Sequence, residues 1–213
     1  PARYQCGPDD DAPLDYRGEI VLAAGGKRAP HGLGVLTLGD GTVHRGLFAE
    51  GSPAGDGVRG VEGDDCAGPW IGDAMGPLGA CTVRATAQKA GVRTAGSFRG
   101  SRAHGPATVV FEDGSAIRGE FADGLKDGAA VVLAPQGSRA ELAFAADAPV
   151  TGVVMIMRDG ALAARYEGEF GRPSAIATGL PLTLHGLGVL YGPDGAIRAQ
   201  GRWSQGRLVE PMG

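Results

Sequence analysis

Asparagine is absent from all 213 residues, and several other features are missing with it. No apolar run approaches the roughly 18–20 residues that a transmembrane helix needs. No sign of charge dominates: the formal net charge is −4, with acids and bases spread along the chain. That leaves no electrostatic footprint for nucleic acid and little attraction to anionic lipid. Glycine is abundant, at 39 residues, but follows no G-X-Y period, which excludes collagen. The three cysteines (Cys6, Cys66, Cys81) form no C-x-x-C pair, so zinc and dithiol chemistry have little support. Their odd number leaves at least one thiol over, or a bond to another chain. No G-x-S-x-G or H-E-x-x-H occurs, and no Ser/His/Asp or Cys/His constellation is visible. The expectation is a protein that is not an enzyme and binds no cofactor or metal. Hydrophobic content of 43% argues equally against disorder. Heavy use of Ala and Gly without Asn fits a bacterium of high G+C content. The start at Pro1 without Met reads as a processed N-terminus, as after signal-peptide removal.

What the chain does have is repetition. His31-Gly32-Leu33-Gly34-Val35-Leu36 returns unchanged as His185-Gly186-Leu187-Gly188-Val189-Leu190. Each copy runs into an Asp-Gly pair (Asp40-Gly41, Asp194-Gly195). Each follows a Tyr-x-Gly-Glu-apolar string, Tyr16 to Ile20 and Tyr166 to Phe170. Between them one frame recurs: Gly-x-x-Φ-x-Gly-x-aromatic, then a glycine three residues on, then Gly-x-Gly. Its anchor aromatics are Phe48, Trp70, Phe98, Phe121, Phe144, Phe170 and Trp203. Their spacing fits a unit of about 23 residues with loop insertions. The copy ending at Phe144 keeps the frame but carries Leu142 where the central glycine belongs.

In Tyr166-x-Gly168-x-Phe170 the named residues fall at i, i+2 and i+4, on one face of a strand. The glycine leaves space for a ring or a neighbouring backbone to lie over it. The Gly-x-Gly-x-apolar string is then the returning strand. Asp113-Gly114, Asp123-Gly124, Asp127-Gly128 and Asp159-Gly160 supply the positive φ of tight turns. A helix is disfavoured, because each interior glycine costs one about 1 kcal/mol. The frame therefore predicts strand even over residues 139–148. A single hairpin buries too little to stand alone, so the units must stack. The expected fold is all-β: an elongated single sheet of stacked antiparallel β-hairpins. Residues 1–15 read as a polar N-terminal arm, 16–208 as the array and 209–213 as a C-terminal tail. The arm and the residues after Trp203 are the candidate edge caps. Asp9-Asp10-Asp11 reads as solvated acid, since it lacks the spaced ligands and glycine of a calcium loop.

This frame resembles the MORN (membrane occupation and recognition nexus) repeat over roughly residues 16–208. That family's unit has the form Tyr-x-Gly-x-Trp/Phe-x-x-Gly-x-x-x-Gly-x-Gly. Here His44, Cys66, Thr94, Ile117 and Ala140 stand where it prefers Tyr. The resemblance implies a non-catalytic protein-interaction or scaffold role, through protein partners or self-association. An accessory subunit of a bacterial envelope or membrane-associated assembly is one form of it. The alternative implied is a peripheral module that binds phospholipid headgroups, against which the acidic balance weighs. Leu33, Leu187, Tyr16 and Tyr166 are the candidate contact residues.

Cys66 and Cys81 need separate treatment. A turn near residues 73–76 would set them on opposite strands, nearly facing. They form either a cross-strand disulfide, as in a periplasmic or exported protein, or two buried free thiols in a cytoplasmic one. His31, His104 and His185 share one slot before Gly-x-Gly. Repeat equivalence explains them, with a row of metal ligands as the alternative. Gly55-Asp56-Gly57-Val58-Arg59-Gly60 spells a G-x-G-x-x-G, but no helix can follow it.

Overall fold

The computed structural model describes residues 2–5, 15–86, 90–171 and 182–212. Cys6 and Asp9-Asp10-Asp11 lie outside the described residues. Those described form eighteen strands and no helix. The chain divides into two compact units, residues 1–102 and 103–213.

The first unit holds β1 (Ala2–Gln5), β2 (Asp15–Leu22), β3 (Arg28–Thr37), β4 (Val43–Ala49) and β5 (Ser52–Val61). It continues through β6 (Asp64–Ile71), β7 (Ala74–Met75), β8 (Leu78–Val83) and β9 (Val92–Arg99). From β1 to β6 each strand pairs antiparallel with the next; β6 then pairs with both β7 and β8, and β8 with β9. The second unit runs β10 (Arg102–Phe111), β11 (Ala116–Ala122), β12 (Leu125–Leu133), β13 (Arg139–Ala145) and β14 (Ala148–Arg158). It ends with β15 (Ala161–Gly171), β16 (Thr183–Tyr191), β17 (Ile197–Ser204) and β18 (Arg207–Pro211). Every strand there pairs antiparallel with its successor. Part of the expected arm is thus a strand, β1, bonded to β2, and the last strand runs past residue 208 to Pro211.

Two kinds of turn join most of the strands. Glu50-Gly51, Glu62-Gly63, Asp123-Gly124, Asp159-Gly160 and Gln205-Gly206 are two-residue turns with both φ positive, the hairpin type that matches strand twist. Ala146-Asp147 has the same conformation without glycine (φ 45° and 68°). Alanine pays sterically for that conformation, so Ala146→Gly should raise stability by about 1 kcal/mol. Urea unfolding of wild type and variant checks this; no gain would mean the turn is not strained. The second kind is a three-residue loop. In it Leu38 N–H donates to Thr42 O (2.8 Å) and Gly41 N–H to Leu38 O (3.1 Å), and Phe111–Ser115 and Gly192–Ala196 repeat the pattern. Asp40, Asp113 and Asp194 each accept the N–H two residues on; this bond lowers the carboxyls of Asp40 and Asp194, and for Asp113 the Ser115 hydroxyl lowers it first and the N–H second. Asp127-Gly128 departs from the expected turn. It lies inside β12, where Gly128 (φ 104°) sits at a register shift opposite β11. The first glycine of Gly-x-Gly is a bulge residue rather than a turn residue.

The second glycine of Gly-x-Gly and the central glycine of the ring string line up across the strands. In the first unit the partners run Gly18, Gly34, Gly46, Gly57, Gly68. In the second they run Ala107, Gly119, Ala130, Leu142, Gly152, Gly168, Gly188, Gly201. A Cβ on Gly46 would stand 2.5 Å from the Asp56 carbonyl oxygen and 2.5 Å from the Gly57 Cα. This glycine row is the bed on which the large rings lie.

All seven anchor aromatics are buried on that face. Between anchors sits the residue of the Tyr slot. His44 packs edge-on to Phe48 (centroids 5.2 Å) and Trp70 (5.5 Å), and Tyr166 to Phe170 (5.4 Å) and Trp203 (5.7 Å). Both indoles donate to the carbonyl of a row glycine: Trp70 to Gly57 (3.1 Å) and Trp203 to Gly188 (3.0 Å). Where the slot is Ala140 (0% exposed), Leu142 occupies the adjoining glycine position and is buried. The missing ring and the missing glycine compensate each other in volume.

Candidate interaction surface

Strand alternation gives each unit a ring face and an opposite, outer face. The tyrosines of the ring face are satisfied by backbone carbonyls. The Tyr16 hydroxyl donates to the Glu19 carbonyl (2.9 Å), with the His31 carbonyl at 3.2 Å, and the Tyr166 hydroxyl donates to the Glu169 carbonyl (3.2 Å). Both tyrosines are 1% exposed. Burial, aided by the charge of Glu169, pushes Tyr166 up to about 12. As contact candidates Tyr16 and Tyr166 are therefore corrected: their rings lie on the glycine row and are not offered to a partner.

Leu33 and Leu187 are exposed, at 64% and 46%. They hold equivalent places, each following a bulge glycine at φ 62°, Gly32 or Gly186. Leu33 pairs across the strands with Leu47, which is 39% exposed. In the second unit the outer face carries alternating residues in register: Arg118, Val131, Glu141, Val153, Glu167 and Val189. Beside this row the Arg165 guanidinium lies 4.3 Å from the Tyr191 ring centroid and pairs with Glu167 (3.1 Å). The Tyr191 hydroxyl reaches the same carboxylate at 3.3 Å, and Arg139 pairs with Glu141 at 2.7 Å. An ordered Tyr–Arg–Glu cluster amid valines and Met155 has the composition of a protein contact, with charges of both signs already in place. Strand parity alone puts Arg165 and Glu167 opposite Tyr166. Their meeting with Tyr191 depends on the β15–β16 register, which no local signal encodes.

The remaining candidates resolve as follows. Cys66 and Cys81 are direct cross-strand partners joined by a disulfide, with S–S 2.04 Å and Cα–Cα 4.0 Å. Reduction should therefore raise the mass by two hydrogens with Cys6 already blocked; an unchanged mass would count against the bond. β7, the short strand between them, brings Met75 against Gly68 and Gly79, so sulfur fills space that a slot tyrosine would take. The frame did not register this detour. His31 and His185 are exposed, and His104 accepts the Asp123 N–H at 3.3 Å. Among the described residues no group of His, Cys, Asp and Glu is arranged to hold a metal. Residues 55–60 lie within β5, with no helix after them.

Ribbons of hairpin bedded on a glycine row define a β-hairpin repeat protein. Residues 29–43, 95–116 and 184–197 match the MORN repeat family. The first and third segments fall on β3 and β16, which hold the duplicated His-Gly-Leu-Gly-Val-Leu string. No curated protein matches the chain. MORN repeats are binding modules, generally associated with protein or lipid.

Proposed function

We propose that this chain is a non-catalytic scaffold that binds protein through its outer face, as an accessory subunit of a bacterial envelope assembly. The observation that carries the reading is the Arg165–Glu167–Tyr191 cluster set among valines, a preorganised surface of mixed sign. Such a surface favours a protein partner over an anionic bilayer, which selects for clustered Lys and Arg. Placement in the periplasm rests on the Cys66–Cys81 bond, since disulfides persist in oxidising compartments. The test is a pull-down from native membranes with the wild-type chain and with folded Met155→Glu and Leu187→Asp variants. A partner held by wild type and lost by either variant supports the reading. Recovery of the chain alone opposes it, and salt-sensitive sedimentation with anionic liposomes would support lipid binding instead.

A further inference from the structure

We propose that His44 is an acid-sensitive latch: its protonation opens the β4–β5 hairpin of the first unit. The imidazole is 2% exposed, and neither ring nitrogen has a hydrogen-bond partner. It occupies the slot where Tyr16 and Tyr166 send a hydroxyl to a backbone carbonyl three residues on. Its ring is too short to do the same. Two edge-on rings, Phe48 and Trp70, hold it instead.

Nothing around His44 can accept a proton's charge. On β3 its cross-strand partner is Leu36, and on β5 it is Arg59. The Arg59 guanidinium lies 5.7 Å from the Trp70 ring centroid and pairs with Asp73 at 2.6 Å, so the side chain paired with His44 on β5 brings a cation. From β2, Tyr16 continues the stack edge-on to Phe48, its hydroxyl committed to carbonyls. An imidazolium here would be buried, unpaired and beside a cation. Burial first, and Arg59 second, accordingly hold the imidazole below the usual histidine value. An unfolded chain takes up this proton at about pH 6.5. The folded unit does not until a lower pH. Stability from this group is thus complete above about 6.5 and is lost as pH falls from there to the folded value. Opening β4 also removes Arg45 and Leu47 from the outer face.

The experiment is hydrogen exchange and urea unfolding of the full chain at pH 7.5 and 5.0, for wild type, His44→Phe and the controls His31→Ala and His185→Ala. For wild type and both controls, the folding constant of the first unit should fall over this interval, by at most tenfold per pH unit and by more than in His44→Phe. Amides of residues 43–49 should lose protection in step, after correction for intrinsic rates. His44→Phe should be nearly flat over this interval. Equal falls in wild type and His44→Phe would overturn the proposal. Imidazole NMR of the wild type decides independently of whether the variant folds: titration of His44 at the ordinary value would also overturn it.

Discussion

Gly46→Ala should cost the first unit about 3–5 kcal/mol, above the usual range for an overpacked core. The obstacle sets this magnitude. An added methyl ordinarily displaces side chains, which can find another rotamer. At Gly46 it meets the Asp56 carbonyl oxygen and the Gly57 Cα, both 2.5 Å away and both backbone of the paired strand β5. Relief requires β4 and β5 to move apart, which breaks ladder hydrogen bonds and lifts His44 from the row. Urea unfolding reported by Trp70, one of only two tryptophans, follows this unit. A loss below about 1 kcal/mol would mean that the row is not close-packed. Alanine does occur in the second unit's row, at Ala107 and Ala130, but on either side of Gly119. Ala130 is also the direct partner of Leu142, so the row does accept side chains, and the cost at Gly46 rests on its own 2.5 Å backbone contacts.

Leu142→Gly should cost the second unit about 3–6 kcal/mol: the large-to-small core penalty plus the backbone freedom of glycine in a strand. Ala140→Tyr should destabilise by about 1–3 kcal/mol, because the new ring would lie where Leu142 now packs. Together they rebuild the ring-glycine arrangement seen at Tyr166 and Gly168. The double variant should be more stable than the sum of the singles by about 2 kcal/mol or more. Trp203 fluorescence during urea unfolding reads the second unit, and a double-mutant cycle isolates the coupling. Additive effects would mean that the two positions do not share one space.

The same residues show what could be read from the chain before its fold. The anchor aromatics were legible because their spacing fixes one strand face, and no register is needed to bury them. Strand over 139–145 was legible because the frame persisted through a damaged copy. Tyr16 and Tyr166 were not correctly placed. A ring flanking a glycine looks available until the neighbouring strand shows Gly34 or Gly188 beneath it. Asp127-Gly128 looked like a turn because the dipeptide serves bulges and turns alike, and only pairing with β11 distinguishes them. The outer-face cluster escaped for a similar reason, since Tyr191 lies far from Arg165 in sequence.

Each unit buries its anchor rings on one side only. On the other side of the second unit, Val153, Val189 and the Arg165–Tyr191 stack are half-buried, and among the described residues no second layer of that unit covers them. A protein that settled there would serve as the absent second wall and would protect the fold it touched. Melting temperature would then rise with the concentration of the right companion, without any enzymatic assay.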